Sequence, residues 1–237
     1  MTQDRGNIAF VNVNVIPMDT ERVLADQTVI VQGDRIVKIW AADEFVIPPA
    51  VQVIEGNGAY LMPGLADMHM HIGENRDALV LFLANGVTTV RNFSSEPFIL
   101  TLRDQVTAGE LLGPTISPGR HIFGLPPAYI PVFNRFDQAV GPMFEMNRSG
   151  LFDNLAQSPV HGREVILKFK EDGYDFIKIN WFLSRETFDS IAASAAVVGL
   201  PLAGHIPAEV GVRHFIRSGA HPEHDYQLLA FVAKDYV

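Results

Sequence analysis

The stretch that decides the fold is residues 61–71, Leu61-Met62-Pro63-Gly64-Leu65-Ala66-Asp67-Met68-His69-Met70-His71. In a β-strand successive side chains point to opposite faces, so His69 and His71 share one face and Met68 and Met70 the other. Two imidazoles on one face can hold one metal ion. The same spacing also occurs in surface pairs and in hydrogen-bonded core histidines, so the motif alone leaves metal binding open.

Composition limits the class of protein. The 237 residues are 48% apolar and 19% charged, which predicts a globular chain with a substantial core. A net charge of -9 without any Lys/Arg block argues against nucleic acid or an anionic membrane as partner. There is no cysteine among the residues and there are eight histidines, so metal ligands must be histidine, carboxylate or modified lysine. The first residues do not resemble a signal peptide, which favours a cytoplasmic location.

Residues 1–60 form the first predicted domain. Short β-rich runs at 8–16, 27–32, 35–40 and 51–55 are separated by turn signals such as Gly33-Asp34, and Pro48-Pro49 forbids a helix there. We predict a small β-sandwich-like domain. Its completion by C-terminal strands that this chain lacks is an expectation that follows only from the family resemblance described below.

Residues 61–237 form the second predicted domain, which is α/β. Strands are predicted at 64–69, 88–92, 115–118, 176–180, 202–205 and 222–224, and helices near 77–84, 98–108, 160–171, 185–198 and 210–218. Strands that alternate with helices predict a parallel sheet, here an incomplete TIM-type (β/α)8 barrel with about six strands. The long segment 122–159 is either a lid or substrate wall, or a packed helical excursion, and the sequence does not separate the two.

Three further residues end predicted strands: Lys178, His205 and His224. A buried ammonium is costly unless it is paired or chemically changed. Lys178 therefore either pairs with a carboxylate such as Asp175, points to the barrel mouth, or carries carbon dioxide as a carbamate. Each histidine alone is most simply a core or capping residue. Together with His69 and His71 they form a constellation, because barrel enzymes place catalytic groups at the carboxyl ends of strands.

These motifs resemble the amidohydrolase superfamily of metal-dependent hydrolases, in particular its imidazolonepropionase-like and Xaa-Pro dipeptidase-like branch. They are Pro63-Gly64-Leu65-x-Asp67-x-His69-x-His71, Phe176-Ile177-Lys178, Gly204-His205 and Glu223-His224-Asp225. The resemblance implies that two divalent metal ions are bound, one by His69 and His71 and the other by His205 and His224. It also implies that Lys178, as a carbamate made with carbon dioxide, bridges them. Zinc is the expected metal, while manganese, iron and cobalt remain open.

The resemblance further implies a reaction, hydrolysis of a C–N bond in an amide, cyclic amide or dipeptide by a metal-bridging hydroxide. Its general base is an Asp after the eighth barrel strand, for which the chain offers no candidate. Asp225 and Asp235 come too early in the fold, and Asp67 belongs to the first strand. We therefore expect a C-terminally truncated chain.

The remaining site predictions are weaker. His121, Arg120 and Tyr226 adjoin predicted strand ends and are candidates for substrate binding, with structural hydrogen bonding an equal alternative. We interpret His161, His214 and His221 as surface or packing residues. One alternative function is a mononuclear deaminase-like site in which Lys178 is not a ligand, and another is a truncated, non-catalytic binding chain. The expected partner is a small-molecule substrate, and homo-oligomer formation is left open.

Overall fold

The computed structural model of the chain describes residues 7–41, 51–73, 76–94, 96–124, 154–225 and 228. The chain divides into two compact units, Met1–Gly64 and Leu65–Val237. Most of the predicted insertion 122–159, and Tyr226, lie outside the described residues. Within the described ranges, no helix is both long enough and apolar enough to cross a membrane.

The first unit is a β-sheet. Its strands are β1 (Asn7–Val15), β2 (Leu24–Gln32), β3 (Arg35–Ala41), β4 (Gln52–Glu55) and β5 (Tyr60–Leu61). The order is β3-β2-β1-β4, with β5 also paired to β1. β2 is antiparallel to both β1 and β3, whereas β4 and β5 run parallel to β1. Alternate residues of β1, from Ala9 to Val15, are buried, as expected for a strand with one face in a core.

The second unit alternates strands and helices. Its strands are β6 (Leu65–Met70), β7 (Val87–Asn92), β8 (Thr115–Ile122), β9 (Phe176–Ile179), β10 (Leu202–Gly204) and β11 (Ala220–Pro222). Its helices are α1 (Ala78–Ala84), α2 (Phe98–Thr107), α3 (Pro159–Asp172), α4 (Arg185–Val198) and α5 (Val212–Arg217). The six strands are all parallel and follow one another in sequence order. The predicted α/β class and partial barrel are confirmed.

The residues at the two ends of the longest helices, α3 and α4, explain why both helices could be predicted from the sequence. Ser158 and Ser184 precede α3 and α4, and each side-chain oxygen accepts a backbone N–H of the first turn. Gly173 and Gly199 follow them in the left-handed conformation, which glycine adopts without strain. Serine before the first turn and glycine after the last one fix both ends of each helix.

β8 is longer than predicted, because its partner changes along its length. It pairs with β7 as far as Pro118 and with β9 from Gly119 onward. A side-chain carbon at Gly119 would lie 2.3 Å from the Phe176 ring, so only glycine allows this close approach. The proline and glycine that suggested a strand end instead mark the change of partner, and His121 lies inside the strand.

The main core lies between the sheet and its helices. It contains one set of strand residues and one set of helix residues, all buried. The strand residues include Val90, Ile116, Ile122, Ile177, Ile179 and Leu202, and the helix residues include Leu79, Ile99, Leu102, Ile166, Phe169, Phe188, Ile191 and Phe215. We call the face of the sheet that packs on the helices the outer face, and the opposite one the inner face.

Candidate functional site

The inner face carries a small aromatic cluster. Phe93, Phe176 and Ala203 are buried and in contact with one another. The His69 ring stacks on the Phe93 ring with a centroid distance of 4.1 Å and an interplanar angle of 2°. Since His69 alternates with Met70, which packs against the outer core, the predicted separation of histidine and methionine faces is present for this pair.

The four predicted histidines lie together. The His69 ring is 5.4 Å from the His71 ring and 4.9 Å from the His224 ring, and the His205 and His224 rings stack at 4.3 Å. His224 follows β11 by two residues rather than ending it. Burial lowers the pKa of His71 and of His224, which favours the neutral imidazole, the form that binds metals.

Lys178 lies beside this histidine cluster. Its side chain is buried, with 2% of its surface exposed, and Nζ lies 3.3 Å from His224 Nε2 and 4.6 Å from the centre of the Phe93 ring. Among the described residues no carboxylate forms a salt bridge with it, and Asp175 is exposed. Burial lowers the pKa of Lys178 to about 8, because desolvation penalises the ammonium, while the negative charge of Glu223 acts in the opposite direction.

The site also contains two charged residues, Arg91 and Glu223, to which the sequence interpretation had given no role. Glu223 Oε2 lies 3.2 Å from His69 Nδ1, and Glu223 Oε1 lies 2.5 Å from Arg91 Nη2. The Arg91 guanidinium carbon lies 4.9 Å from the Phe93 ring centre and 5.0 Å from that of Phe176. The available sequence signal was a charged residue, Arg91, near the end of β7 and two positions before Phe93.

Two of the weaker candidate residues, His121 and Arg120, lie on opposite faces of the sheet. His121 lies 6.3 Å, ring to ring, from His71 and hydrogen-bonds the Phe93 backbone. Its Nε2 is buried without a hydrogen-bond partner among the described residues, and burial lowers its pKa to about 4. Arg120 lies instead over the outer-face rings of Phe169 and Tyr174, 5.6 Å from each. That placement does not fit the substrate-binding role predicted for Arg120, because neighbouring strand residues face opposite ways.

The other histidines have surroundings of their own. His214 Nε2 lies 2.5 Å from Asp189 Oδ1, and His214 Nδ1 lies 3.0 Å from Arg185 Nη2. His161 is in the first turn of α3, where its backbone N–H donates to Ser158. The side chain of His221 is exposed. His161 can therefore serve as a comparison residue in variants of the site.

The described residues contain no group of three or more His, Asp or Glu side chains arranged to hold one metal ion. The predicted set assigns only two histidines to each cation and adds a lysine between them, so no such group of three is expected from it. Histidine nitrogens are donors that zinc and related divalent metals accept, so the residue types of this cluster are compatible with a divalent metal.

Known proteins with similar sequences include enzymes of C–N bond chemistry. No family model matches the chain. It is 23% identical over 225 residues to adenine deaminase 2 of Bradyrhizobium sp. (strain ORS 278), a match that covers 92% of the chain and 35% of the relative. It is 36% identical over 64 residues to imidazolonepropionase of Idiomarina loihiensis, covering 26% of the chain and 16% of the relative. The chain thus spans about a third of the length of the curated relatives that it matches along most of its own length.

Solved structures share the fold. Molinate hydrolase superposes with a TM-score of 0.76 at 19% identity, covering 92% of this chain and 57% of that one. A Xaa-Pro dipeptidase with bound methionine in its active site superposes with a TM-score of 0.69, also at 19% identity, covering 90% and 60%. Together with the sequence relatives, these matches confirm the resemblance to amidohydrolase-type proteins that the motifs predicted.

Proposed function

We propose that this chain carries the metal site of a hydrolase that cleaves C–N bonds in small molecules. His69 and His71 would hold one divalent cation, His205 and His224 a second, and Lys178 as a carbamate would bridge the two. The observation that carries the proposal is that four imidazoles and one buried lysine lie close together, with Lys178 Nζ 3.3 Å from His224 Nε2 and, among the described residues, no carboxylate within salt-bridge distance of the amine. A purely structural core would have no reason to collect these groups.

The environment of Lys178 favours carbamate formation. The ammonium first gives a proton to water, and the neutral amine then attacks carbon dioxide. An N–C bond forms as one C=O π bond opens, and the nitrogen gives a second proton to water, so a positive charge is replaced by a negative one. With its pKa lowered to about 8, the amine is neutral far more often near neutral pH than an ordinary lysine, whose pKa is about 10.4. The carbamate oxygens can then bind cations, which removes the cost of a buried unpaired ammonium.

The residues of the chain prepare the site for this chemistry. Bound divalent cations would lower the pKa of a water molecule and polarise the substrate carbonyl. The neutral imidazoles of His71 and His224 present lone pairs, and the Phe93 ring, completely buried beneath His69 and Lys178, keeps water from that side of the cluster. His121 Nε2, buried and without a hydrogen-bond partner among the described residues, offers one polar atom toward a substrate.

The names of the relatives support a substrate class rather than one substrate. The relatives and one structural neighbour are named an adenine deaminase, an imidazolonepropionase and a Xaa-Pro dipeptidase. We therefore propose dipeptides, cyclic amides and amino-substituted heterocycles as the classes to be tried first.

A mononuclear deaminase-like site is the second candidate. The observation that favours it is the similarity to adenine deaminases along 92% of the chain. In that case Lys178 would not be a ligand. The two candidates differ in the number of metal ions bound and in their dependence on Lys178.

Metal content tests the proposal. The chain is loaded with zinc in the presence of bicarbonate, freed of excess metal, and its bound metal counted by elemental analysis. We expect two zinc ions per chain, loss of most metal in His69→Asn and Lys178→Ala, and no change in the matched controls His161→Asn and Lys168→Ala. Near-normal metal in either site variant would overturn the assigned site. A stoichiometry near one that does not respond to Lys178→Ala would select the mononuclear alternative.

Activity is the second readout. Because the chain spans 35% of its first curated relatives, turnover of the three substrate classes is assayed in the complete gene product. We expect the two site variants to lose most turnover and the two control variants to retain it. A metal-loaded protein that hydrolyses none of these substrates would instead support a binding role.

A further inference from the structure

We infer that Glu223 is a positioning residue that sets the tautomer of His69. Its carboxylate would keep the proton of the His69 ring on Nδ1 and leave the Nε2 lone pair for a cation. This inference rests on the proposed function, since it assumes that His69 is a metal ligand, and it assigns a task to a residue that is not itself a ligand.

Glu223 joins two strands of the inner face. One carboxylate oxygen lies 3.2 Å from His69 Nδ1, in β6, and the other lies 2.5 Å from Arg91 Nη2, in β7. Its side chain is largely buried, with 12% exposed. The Glu223 backbone N–H also donates to the Gly204 carbonyl at 3.0 Å. The position of the carboxylate is therefore set by its own backbone and by both partners.

The chemistry of the pair determines the tautomer. A carboxylate only accepts hydrogen bonds, so the nitrogen that it contacts must be the donor. In a neutral imidazole with its proton on Nδ1, Nε2 is the free lone pair, and histidine ligands of metals are commonly oriented by such a carboxylate. Stacking on Phe93 at 4.1 Å fixes the plane of the same ring.

Arg91 prevents the carboxylate from turning away. The guanidinium packs on Phe93 and Phe176, which restricts its own movement, and it balances the charge of Glu223 at short distance. A simple structural ion pair would need only this contact. The second oxygen of Glu223 faces His69 instead, and His224, the next residue, belongs to the other pair of proposed ligands. Glu223 thus contacts a proposed ligand of the first cation, and its neighbour His224 is a proposed ligand of the second.

The substitution Glu223→Gln makes a sharp test because an amide has only one acceptor oxygen. Arginine has no acceptor, so the amide oxygen must face Arg91 and the amide NH2 must face His69 Nδ1. His69 Nδ1 then becomes an acceptor, and the ring proton moves to Nε2, where it blocks the nitrogen proposed to bind metal. Glu209→Gln, an exposed position, is the matched control.

The first readout needs no metal. Nitrogen–proton NMR of the histidine rings, recorded on the metal-free chain at about pH 8, above the ordinary histidine pKa, reports which ring nitrogen carries the proton. We expect Nδ1–H for His69 in the wild type and in Glu209→Gln, and Nε2–H in Glu223→Gln. The wild-type spectrum tests the inference even if the variant does not fold, because Nε2–H there would overturn it.

The second readout is zinc affinity. We expect Glu223→Gln to weaken binding by about 10- to 100-fold, the range typical of lost outer-sphere partners, and Glu209→Gln to leave it unchanged. His69→Asn separates the two hypotheses. If His69→Asn does not weaken zinc binding, the proposed function fails. If it does, but Glu223→Gln keeps both the wild-type tautomer and the wild-type affinity, only the inference about Glu223 fails.

Discussion

The outer and inner faces of the parallel sheet are built from alternate residues of the same strands, yet they differ in chemistry. In β9 all four residues are buried; Ile177 and Ile179 enter the apolar outer core, whereas Phe176 and Lys178 belong to the inner face. Burying a large apolar side chain contributes about 1.5–3 kcal/mol, while burying an unpaired charge costs free energy. We therefore expect most of the stability of this unit to come from the outer face.

The largest expected effect lies on the outer face. Phe188 is fully buried in α4 and its ring stacks on Phe215 with a centroid distance of 5.4 Å. We expect Phe188→Ala to lower the free energy of unfolding by about 3–5 kcal/mol, because it removes buried surface and leaves a cavity. Urea unfolding measures the loss, and zinc titration of the folded variant should show unchanged affinity. A loss below about 1 kcal/mol would contradict the assignment of stability to this face.

Much of this division could be predicted from the sequence. Period-two alternation and the glycines after helices located the elements, and α4 has the predicted bounds, 185–198. Histidines and a lysine at strand ends predicted the constellation that the fold brings together, although their roles remain predictions. The end of β8 was missed because Pro118 and Gly119 usually stop a strand, and only the change of partner from β7 to β9 keeps this one paired.

Two other features depend on the three-dimensional fold. Arg120 and His121 are adjacent in sequence, and one residue of register decides which of them faces inward. Glu223 is 132 residues from Arg91 and 154 from His69, so no local pattern connects the three. Tyr226 and most of the segment 122–159 lie outside the described residues, and the predictions about them stay predictions.

His121 gives the inner face an acid-sensitive group. Burial lowers its pKa to about 4, and the charges of Lys178, His71 and Arg120 act in the same direction, against a raising effect of its hydrogen bond to the Phe93 backbone. Unfolded histidine titrates near 6.5, so between about pH 6.5 and pH 4 the unfolded state binds more protons than the folded one. The contribution of this group to stability is complete above pH 6.5 and decreases as the pH falls. The loss reaches about 3 kcal/mol at pH 4.

The substitution His121→Gln isolates this contribution from other groups that titrate in acid. Unfolding free energies are measured by urea titration at several pH values from 7 to 4. We expect the variant to lose about 3 kcal/mol less than the wild type over this range, and His161→Gln to follow the wild type. Parallel curves for His121→Gln and the wild type would mean that the inner face tolerates a charged His121.

The smallest effect concerns Lys178, for which stability also rises with pH, but in an alkaline interval. Because its pKa is lowered to about 8, the unfolded state binds more protons between about pH 8 and pH 10.4, so stability rises with pH in that interval and is constant below it. At pH 7 the buried ammonium therefore costs up to about 3 kcal/mol, part of which its contact with the Phe93 ring offsets.

We expect Lys178→Met to stabilise the metal-free chain by about 2 kcal/mol at pH 7 and to flatten the rise of stability above pH 8. Lys168→Met, at an exposed pair with Asp172, should change stability by less than about 0.5 kcal/mol. If Lys178→Met destabilises the metal-free chain, the lysine supports the inner face structurally, and the cost that we assign to the buried ammonium does not exist.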